Sequence, residues 1–236
     1  MLRGARIAVV VPAHNESALI ARVLSAMPAF VDQIVVVDDA SDDDTCAQVD
    51  RCADERVTLV RHAANRGVGA AIVTGYRRAR AQGAGVIAVM AGDDQMDPAD
   101  LQGLVTPVIE GKAEYVKGDR LHHPEAARMP LTRRTGTRLL SHATRWALGM
   151  PTLSDSQCGY TAISATALDR LDLASVWPGF GYPNDLLARI VHLGMPVAEV
   201  VVRPVYKGER SELRPWHVLT ILRVIGRAAL RRVAGR

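Results

Sequence analysis

Residues 33–45 read QIVVVDDASDDDT, an apolar run that ends abruptly in a carboxylate-rich segment. The four apolar residues 34–37 are typical of a strand that is covered on both faces of a parallel sheet. Asp38 and Asp39 follow directly, at the carboxyl end of that strand. Ligands of open α/β sheets bind beyond the carboxyl ends of the strands. This stretch therefore predicts both a fold class and the sheet edge that carries the site.

The same pattern extends outward along the chain. Apolar runs predict further strands at 6–11, 57–61, 86–90 and 113–117. Helical patterns lie between the strands, at 17–27, 43–53, 67–82 and 98–109. Beyond residue 120 the pattern is weaker and predicts helices at 132–148 and 184–193 and strands at 158–164 and 197–206. Strands that alternate with crossover helices indicate a single α/β domain, with a mostly parallel central sheet and helices on both faces.

The composition fits one globular domain of this size. Of the 236 residues 48% are hydrophobic, which is enough for a sizeable core and excludes a disordered chain. Cys46, Cys52 and Cys158 match no zinc or redox spacing and indicate a reducing compartment. The apolar run at 7–11 is too short for a signal peptide or a membrane span. We therefore expect a cytoplasmic protein.

The net charge of +4 is unevenly distributed. From residue 201 onward, nine Lys or Arg face two Glu, so this segment carries +7 and the preceding 200 residues carry −3. Such a basic tail on a weakly acidic body favours contact with phosphate groups or an anionic surface. It argues against a protein that binds nucleic acid across its whole face.

Polar clusters follow three of the predicted strands. They are 12–16 (PAHNE), 38–41 (DDAS) and 92–95 (GDDQ). Any one of them could simply cap the helix that follows it. Helix caps do not need paired carboxylates, however, so three such clusters at neighbouring strand ends predict one ligand site.

Four segments in order carry a family resemblance: VVVPAHNE (9–16), VVVDDASDDDT (35–45), NRGVGAAIVTG (65–75) and AGDDQMDP (91–98). They resemble the family 2 glycosyltransferases of the GT-A fold, and most closely the dolichol-phosphate mannosyltransferase-like branch. The resemblance implies inverting hexosyl transfer from a nucleoside diphosphate sugar by a GT-A domain at 1–213. Its nucleotide-binding half would span 1–120 and its acceptor-side half 121–213, followed by a basic amphipathic helix at 214–236.

The resemblance also implies the donor-binding residues. Asp38 or Asp39 would contact the nucleoside, and Gly67 would pack at a helix start beneath it. The residues expected to lie against the nucleoside are Pro12, Asn15 and Glu16, and those expected to meet the donor phosphates are Lys207 and Arg210.

A metal site follows from the same resemblance. The family's DxDxQ segment binds Mg²⁺ or Mn²⁺, which would neutralise the leaving diphosphate. Here it supplies Asp93 and Gln95, with Ala91 in place of the first Asp and Asp94 as an additional carboxylate.

On the acceptor side, the resemblance implies catalytic roles for Arg120, Asp155 and Asp185 beside Asp93. Arg120 would serve the diphosphate or the acceptor. Asp185 is either an acceptor-side carboxylate or only the charge partner of its helix N-terminus. A polyprenyl phosphate acceptor is already ionised at neutral pH and needs no general base. A sugar or alcohol acceptor would need one, and Asp155 and Asp185 are the candidates.

Two other classes of protein compete with a transferase. The segment 66–69 (RGVG) suggests a nicotinamide-dependent oxidoreductase, but Ile72 stands where the third glycine belongs. Ala91 keeps a non-catalytic sugar-nucleotide-binding protein under consideration.

The C-terminal helical pattern at 216–232 also has two interpretations. Arg223, Arg227 and Arg231 recur on one face, and apolar residues fill the rest. Such a helix lies either in a membrane interface or docked on the domain. With a lipid-phosphate acceptor in view, we expect peripheral contact with the inner face of the membrane.

Overall fold

Seven strands form one sheet with the spatial order β3-β2-β1-β4-β6-β5-β7 in the computed structural model, which describes residues 1–206 and 215–234. The strands are β1 (Ile7–Ala13), β2 (Gln33–Asp38), β3 (Val57–Arg61), β4 (Val86–Val89), β5 (Tyr115–Asp119), β6 (Thr161–Ser164) and β7 (Val197–Val201). All are parallel except β6, which lies antiparallel between β4 and β5. The predicted α/β class with a mostly parallel sheet is confirmed.

Within residues 1–206 and 215–234, eight α-helices connect or cover the strands. They are α1 (Ile20–Ser25), α2 (Thr45–Asp50), α3 (Val68–Ala81), α4 (Leu101–Ile109), α5 (Leu131–Leu148), α6 (Ala165–Arg170), α7 (Tyr182–His192) and α8 (Pro215–Ala234). The first two are shorter than their patterns predict, because the residues before them form loops at the sheet edge. The short helix α6 is not foreseen by the sequence pattern.

Two apolar layers sandwich the sheet, which explains the continuous apolar runs. Alternate strand residues such as Val10, Val35 and Ile87 lie on the face of the sheet that is covered by α3 and α7. Their neighbours, such as Val9 and Val36, pack on the opposite side with α1 and α4. Both faces of the central strands are therefore buried.

The C-terminal helix α8 packs against α5 and α7. Its buried face consists of Ile221, Val224, Ile225 and Ala228. Docking on the domain is thus observed for this face. No helix within the described ranges is both long and apolar enough to cross a lipid bilayer.

Candidate active site

The loops after β1 and β2 are joined by hydrogen bonds at the carboxyl edge of the sheet. The Asn15 N–H donates to Ser41 Oγ at 2.9 Å, and Asn15 Oδ1 accepts from the Asp42 N–H at 3.0 Å. The Glu16 N–H donates to Thr45 Oγ1 at 2.8 Å. Asn15 has φ 58°, a left-handed conformation that asparagine tolerates well. The structure therefore brings these two predicted donor-site residues beside the carboxylate segment.

Asp38 and Pro12 lie beneath this joined loop. Asp38 is only 3% exposed and accepts from both the N–H and the hydroxyl of Ser41. Pro12 is buried on β1, in register with Val37 of β2. Asp38 thus holds the turn that follows β2, in register with Ala13 at the end of β1.

Asp39 organises the loop that leads into α3. Its side chain is almost fully buried and accepts from the N–H groups of Arg66 and Gly67 at 2.9 and 2.7 Å. Its Oδ1 also lies 2.6 Å from Nδ1 of His62, whose Nε2 lies 2.9 Å from Thr74 Oγ1. The sequence analysis missed His62, although an isolated histidine directly after β3 is a signal that could have drawn attention to it.

Replacing Asp39 with Ala is expected to weaken nucleoside diphosphate binding by about tenfold or more. The substitution leaves two backbone N–H groups and His62 without their acceptor, which releases the loop at 62–67. Isothermal titration calorimetry with UDP and GDP measures the loss. Unchanged affinity for both nucleotides would contradict the prediction.

The start of α3 has no room for side chains. Gly67 has φ 90°, and a Cβ there would lie 2.7 Å from the carbonyl oxygen of Pro178. A Cβ on Gly69 would lie 2.2 Å from the carbonyl oxygen of Trp177. The Ala70 N–H donates to Pro178 O at 3.0 Å. These glycines therefore let the segment before α7 contact the beginning of α3.

The Asp93–Gln95 segment follows β4 at the same edge. The Gln95 N–H donates to Asp93 Oδ1 at 3.1 Å. Asp94 adopts φ 56° and forms an ion pair with Arg22 of α1 at 2.9 Å. The two adjacent carboxylates are thus drawn into different contacts.

The donor atoms of this segment fit a divalent cation only in part. Within the described ranges no three His, Cys, Asp or Glu side chains are grouped closely enough to hold a metal ion. Asp93 and Gln95 nevertheless offer one carboxylate and one amide oxygen. Mg²⁺ in proteins commonly takes one or two carboxylates and completes its shell with substrate phosphates and water. The two residues suit a cation that arrives with a diphosphate.

Arg133 of α5 contacts both this segment and Tyr206, which follows β7 in the chain. Arg133 was not among the site residues predicted from the sequence. Its Nη2 lies 3.4 Å from Gln95 Oε1, and its guanidinium stacks 4.8 Å over the Tyr206 ring. The one sequence signal for Arg133 is that it lies in a helix, α5, that contains arginines and no acidic residue. The predicted phosphate ligands Lys207 and Arg210 lie outside the described residues.

Arg120 and Asp155 form a buried bidentate ion pair. Arg120 Nε donates to Asp155 Oδ2 at 2.7 Å and Nη2 to Oδ1 at 3.1 Å, and the Asp155 side chain is fully buried. Burial by itself raises the pKa of Asp155, but the adjacent guanidinium outweighs it and the pKa is lowered. The carboxylate stays ionised and serves the arginine.

Asp185 is engaged on the helix side, away from these contacts. Its Oδ2 accepts from Arg189 Nε at 2.7 Å and from the Trp177 N–H at 3.0 Å. Its Oδ1 lies 3.9 Å from Arg231 Nη1 of α8. The side chain of the neighbouring Asn184 instead accepts a hydrogen bond from the side-chain amide of Gln157. Asp185 thus contacts two arginine side chains and one backbone N–H that precedes α7, and both its acceptor-side role and the helix-partner alternative stay predictions.

Comparison with known proteins adds to this geometry. The model of the family described as glycosyl transferase family 2 matches residues 8–172. The UDP-N-acetylglucosamine–dolichyl-phosphate N-acetylglucosaminyltransferase of Methanococcus voltae is 33% identical over 175 residues, which cover 67% of this chain and 69% of that protein. The polyprenol monophosphomannose synthase of Mycolicibacterium smegmatis is 29% identical over 210 residues, 84% of this chain and 76% of that one.

Solved structures share the fold. Glucosyl-3-phosphoglycerate synthase from Mycobacterium tuberculosis, crystallised with Mn²⁺, UDP-glucose and phosphoglyceric acid, superposes with a TM-score of 0.71. The two sequences are 23% identical, and the match covers 96% of this chain and 80% of that chain.

Proposed function

The chain belongs to glycosyl transferase family 2, and from this premise we propose that it moves a hexosyl group, with inversion, from a nucleoside diphosphate sugar to a polyprenyl phosphate or related membrane-associated acceptor. The family resemblance of the four sequence segments is thereby confirmed, and the chain is a glycosyltransferase. The oxidoreductase alternative is set aside.

The proposed donor site is the joined edge after β1, β2 and β4. Asp38, Asp39 and the loop at 12–16 form its nucleoside side, and Gly67 starts the helix beneath it. A nucleoside diphosphate sugar suits this edge because carboxylates accept from ribose and base groups. The Methanococcus voltae relative is named for a UDP-sugar, and the Mycobacterium tuberculosis structure contains UDP-glucose.

Asp93 and Gln95 are the residues that would hold a Mg²⁺ or Mn²⁺ ion together with the diphosphate. The ion would supply positive charge to the leaving diphosphate as the glycosidic bond breaks. Asp94, which pairs with Arg22, would contribute an additional carboxylate at the border of the site.

The observation that carries the acceptor proposal is that both candidate bases are already bound to arginines. Asp155 pairs with Arg120 and has a lowered pKa, and Asp185 pairs with Arg189. A carboxylate held in this way is a poor proton acceptor. A phosphate monoester needs no base, since it is ionised at neutral pH. Arg120 and Arg133 offer the positive charge that such an acceptor requires.

The reaction then follows from charge and geometry. A phosphate oxygen of the acceptor attacks the anomeric carbon from the side opposite the diphosphate. A new carbon–oxygen bond forms, the bond to the diphosphate oxygen breaks, and the nucleoside diphosphate leaves with the electron pair. Attack from the opposite side inverts the anomeric configuration.

A soluble anionic acceptor is the second candidate. The Mycobacterium tuberculosis protein of the same fold contains phosphoglyceric acid, and a pair of arginines would bind that anion as well as a lipid phosphate.

Transfer assays separate these candidates. Radiolabelled UDP-, GDP- and dTDP-sugars are incubated with Mn²⁺ and either a short-chain polyprenyl phosphate or phosphoglycerate. We expect a labelled, organic-extractable product with the polyprenyl phosphate. Product with phosphoglycerate alone would favour the soluble acceptor, and no product with any donor would contradict both acceptor proposals.

A membrane-associated acceptor requires a surface that meets the bilayer, and α8 with α5 offers one. Exposed apolar side chains line both helices, among them Trp146 at 77%, Trp216 at 55% and Leu219 at 70% exposure. Neither helix contains an acidic residue, whereas each contains four arginines. Apolar side chains among cations suit an anionic lipid interface, and like charge disfavours pairing with a second copy.

Changing Arg223 and Arg227 together to Gln is expected to weaken binding to anionic vesicles by roughly tenfold or more, since each arginine near such a surface contributes about 1 kcal/mol. Sedimentation with phosphatidylglycerol vesicles measures the change. The matched control replaces the exposed Arg77 and Arg78 of α3, which removes the same charge elsewhere. An equal loss in both variants, or equal binding to neutral vesicles, would contradict the prediction.

A further inference from the structure

Glu199 lies on β7 with both carboxylate oxygens bound to the backbone of the Asp155 loop. Its Oε2 accepts from the Ser154 N–H at 2.7 Å and its Oε1 from the Asp155 N–H at 2.9 Å. Glu199 is the single charged residue of strand β7, which is otherwise apolar from Val197 to Val201. It was not among the site residues predicted from the sequence. Two consecutive N–H groups on one carboxylate fix the position of the loop strongly.

A buried lysine holds the other end of the same loop. Lys117 of β5 is fully buried, and its Nζ donates to the carbonyl oxygen of Cys158 at 2.8 Å. Lys117 and Glu199 are register partners on the adjacent parallel strands β5 and β7. The loop at 154–158 is therefore bound to the sheet at both ends, by Glu199 of β7 and by Lys117 of the adjacent strand β5.

The contacts continue from this loop to Arg120. The Asp155 backbone is held by Glu199, and its side chain holds the guanidinium of Arg120 through two hydrogen bonds. The Arg120 N–H also donates to Asp155 Oδ2 at 3.3 Å. The Arg120 side chain keeps 14% of its surface exposed.

We infer that Glu199 is a positioning residue that aims Arg120 at the acceptor phosphate through the backbone and side chain of Asp155. The inference rests on the proposed phosphate acceptor and adds a specific residue to that site. It requires Glu199 to act on acceptor binding, with no direct contact to donor or acceptor.

The test uses Glu199→Gln in the full chain. Glutamine keeps the shape and one acceptor oxygen but turns an NH₂ group against one of the two backbone N–H groups. The matched control is Glu114→Gln, since Glu114 also accepts two hydrogen bonds within the fold, from Ser164 and Thr166, at the start of β5. Geranyl phosphate is the acceptor probe, and UDP and GDP are the nucleotide probes.

We expect Glu199→Gln to weaken geranyl phosphate binding by about tenfold and to raise its KM in transfer by a similar factor. Nucleotide affinity should stay within about twofold, and Glu114→Gln should change neither quantity. An effect of Glu199→Gln on both ligands, or no effect on geranyl phosphate, would overturn the inference.

A double-mutant cycle with Arg120→Lys distinguishes positioning from general destabilisation. The lysine keeps the buried charge but loses the bidentate geometry. If Glu199 acts through Arg120, adding Glu199→Gln to Arg120→Lys should cause little further loss of geranyl phosphate affinity. Fully additive losses would overturn the inference.

The outcomes also separate this inference from the proposed function. A wild-type protein that binds geranyl phosphate but transfers no sugar would refute the transfer, and the binding cycle would still decide the role of Glu199. A wild-type protein that transfers sugar while Glu199→Gln behaves like Glu114→Gln would refute the role of Glu199 alone.

Discussion

Asp93→Asn is expected to reduce sugar transfer by roughly a hundredfold or more while the protein stays folded. The substitution removes the carboxylate that aligns with the proposed cation-binding segment after β4, and loss of a preorganised charge at a leaving group typically has effects of this size. Initial rates at saturating Mn²⁺ and thermal unfolding of the same samples measure the two quantities. Near-normal turnover at saturating metal would refute the role of Asp93.

Asp172→Asn is the matched control for this change. Asp172 accepts the Ala174 N–H at 3.2 Å with the same two-residue spacing by which Asp93 accepts the Gln95 N–H. It caps the short turn Leu173–Ser175 and is not among the residues of the proposed donor site. Equal loss of activity in both variants would show that losing a turn-forming carboxylate anywhere in the fold has this effect, and would refute a specific role for the charge of Asp93. Binding of Mn²⁺ in the presence of UDP gives a readout that does not depend on turnover.

Asp155→Asn is expected to lower the free energy of unfolding by about 3 kcal/mol, because it leaves the guanidinium of Arg120 buried without its counter-charge. Denaturant unfolding monitored by circular dichroism measures the loss. Transfer activity should fall in the same variant, since Arg120 loses its fixed orientation. A change in stability below about 1 kcal/mol would refute the structural part of this account.

The control for this pair is Asp169→Asn. Arg80 and Asp169 make the same bidentate contacts, at 3.0 and 2.8 Å, but both side chains are about half exposed, so little change in stability is expected.

The contribution of Asp155 to the free energy of unfolding depends on pH with a defined sign. Because the folded protein lowers the pKa of Asp155, its contribution is present above the ordinary carboxyl pKa of about 4 and is lost as the pH falls through the lowered value. Asp155→Asn should flatten this part of the acid unfolding curve.

Much of the donor side could be predicted from the sequence because its signals are local. The residues of β1, β2 and β4 are apolar in unbroken runs, and each run ends in polar residues at the point where the strand ends. Adjacent parallel strands end at one edge, so Asn15, Asp38 and Asp93 could be assigned to one site before any contact was known. The glycines at 67 and 69 could be recognised, although their partners at Trp177 and Pro178 could not.

The acceptor side was less predictable because its contacts join residues far apart in the chain. Arg120 meets Asp155 across 35 positions, and Asp155 meets Glu199 across 44. No local pattern distinguishes a carboxylate that holds an arginine from one that accepts a proton. Asp185 shows this, since a carboxylate at a helix start is compatible with both roles, and no local pattern predicts its contacts with Arg189 and Arg231.

The sequence by itself determined the fold class and the family, and it predicted the sheet edge of the proposed donor site, because strand burial and strand-end chemistry depend on the residues within each segment. The tertiary structure alone decided that β6 inserts antiparallel between β4 and β5, that Asp39 faces His62, and that Arg133 reaches Gln95. These pairings depend on which distant segments are buried together, and that free energy belongs to the packed domain and to no single stretch of the chain.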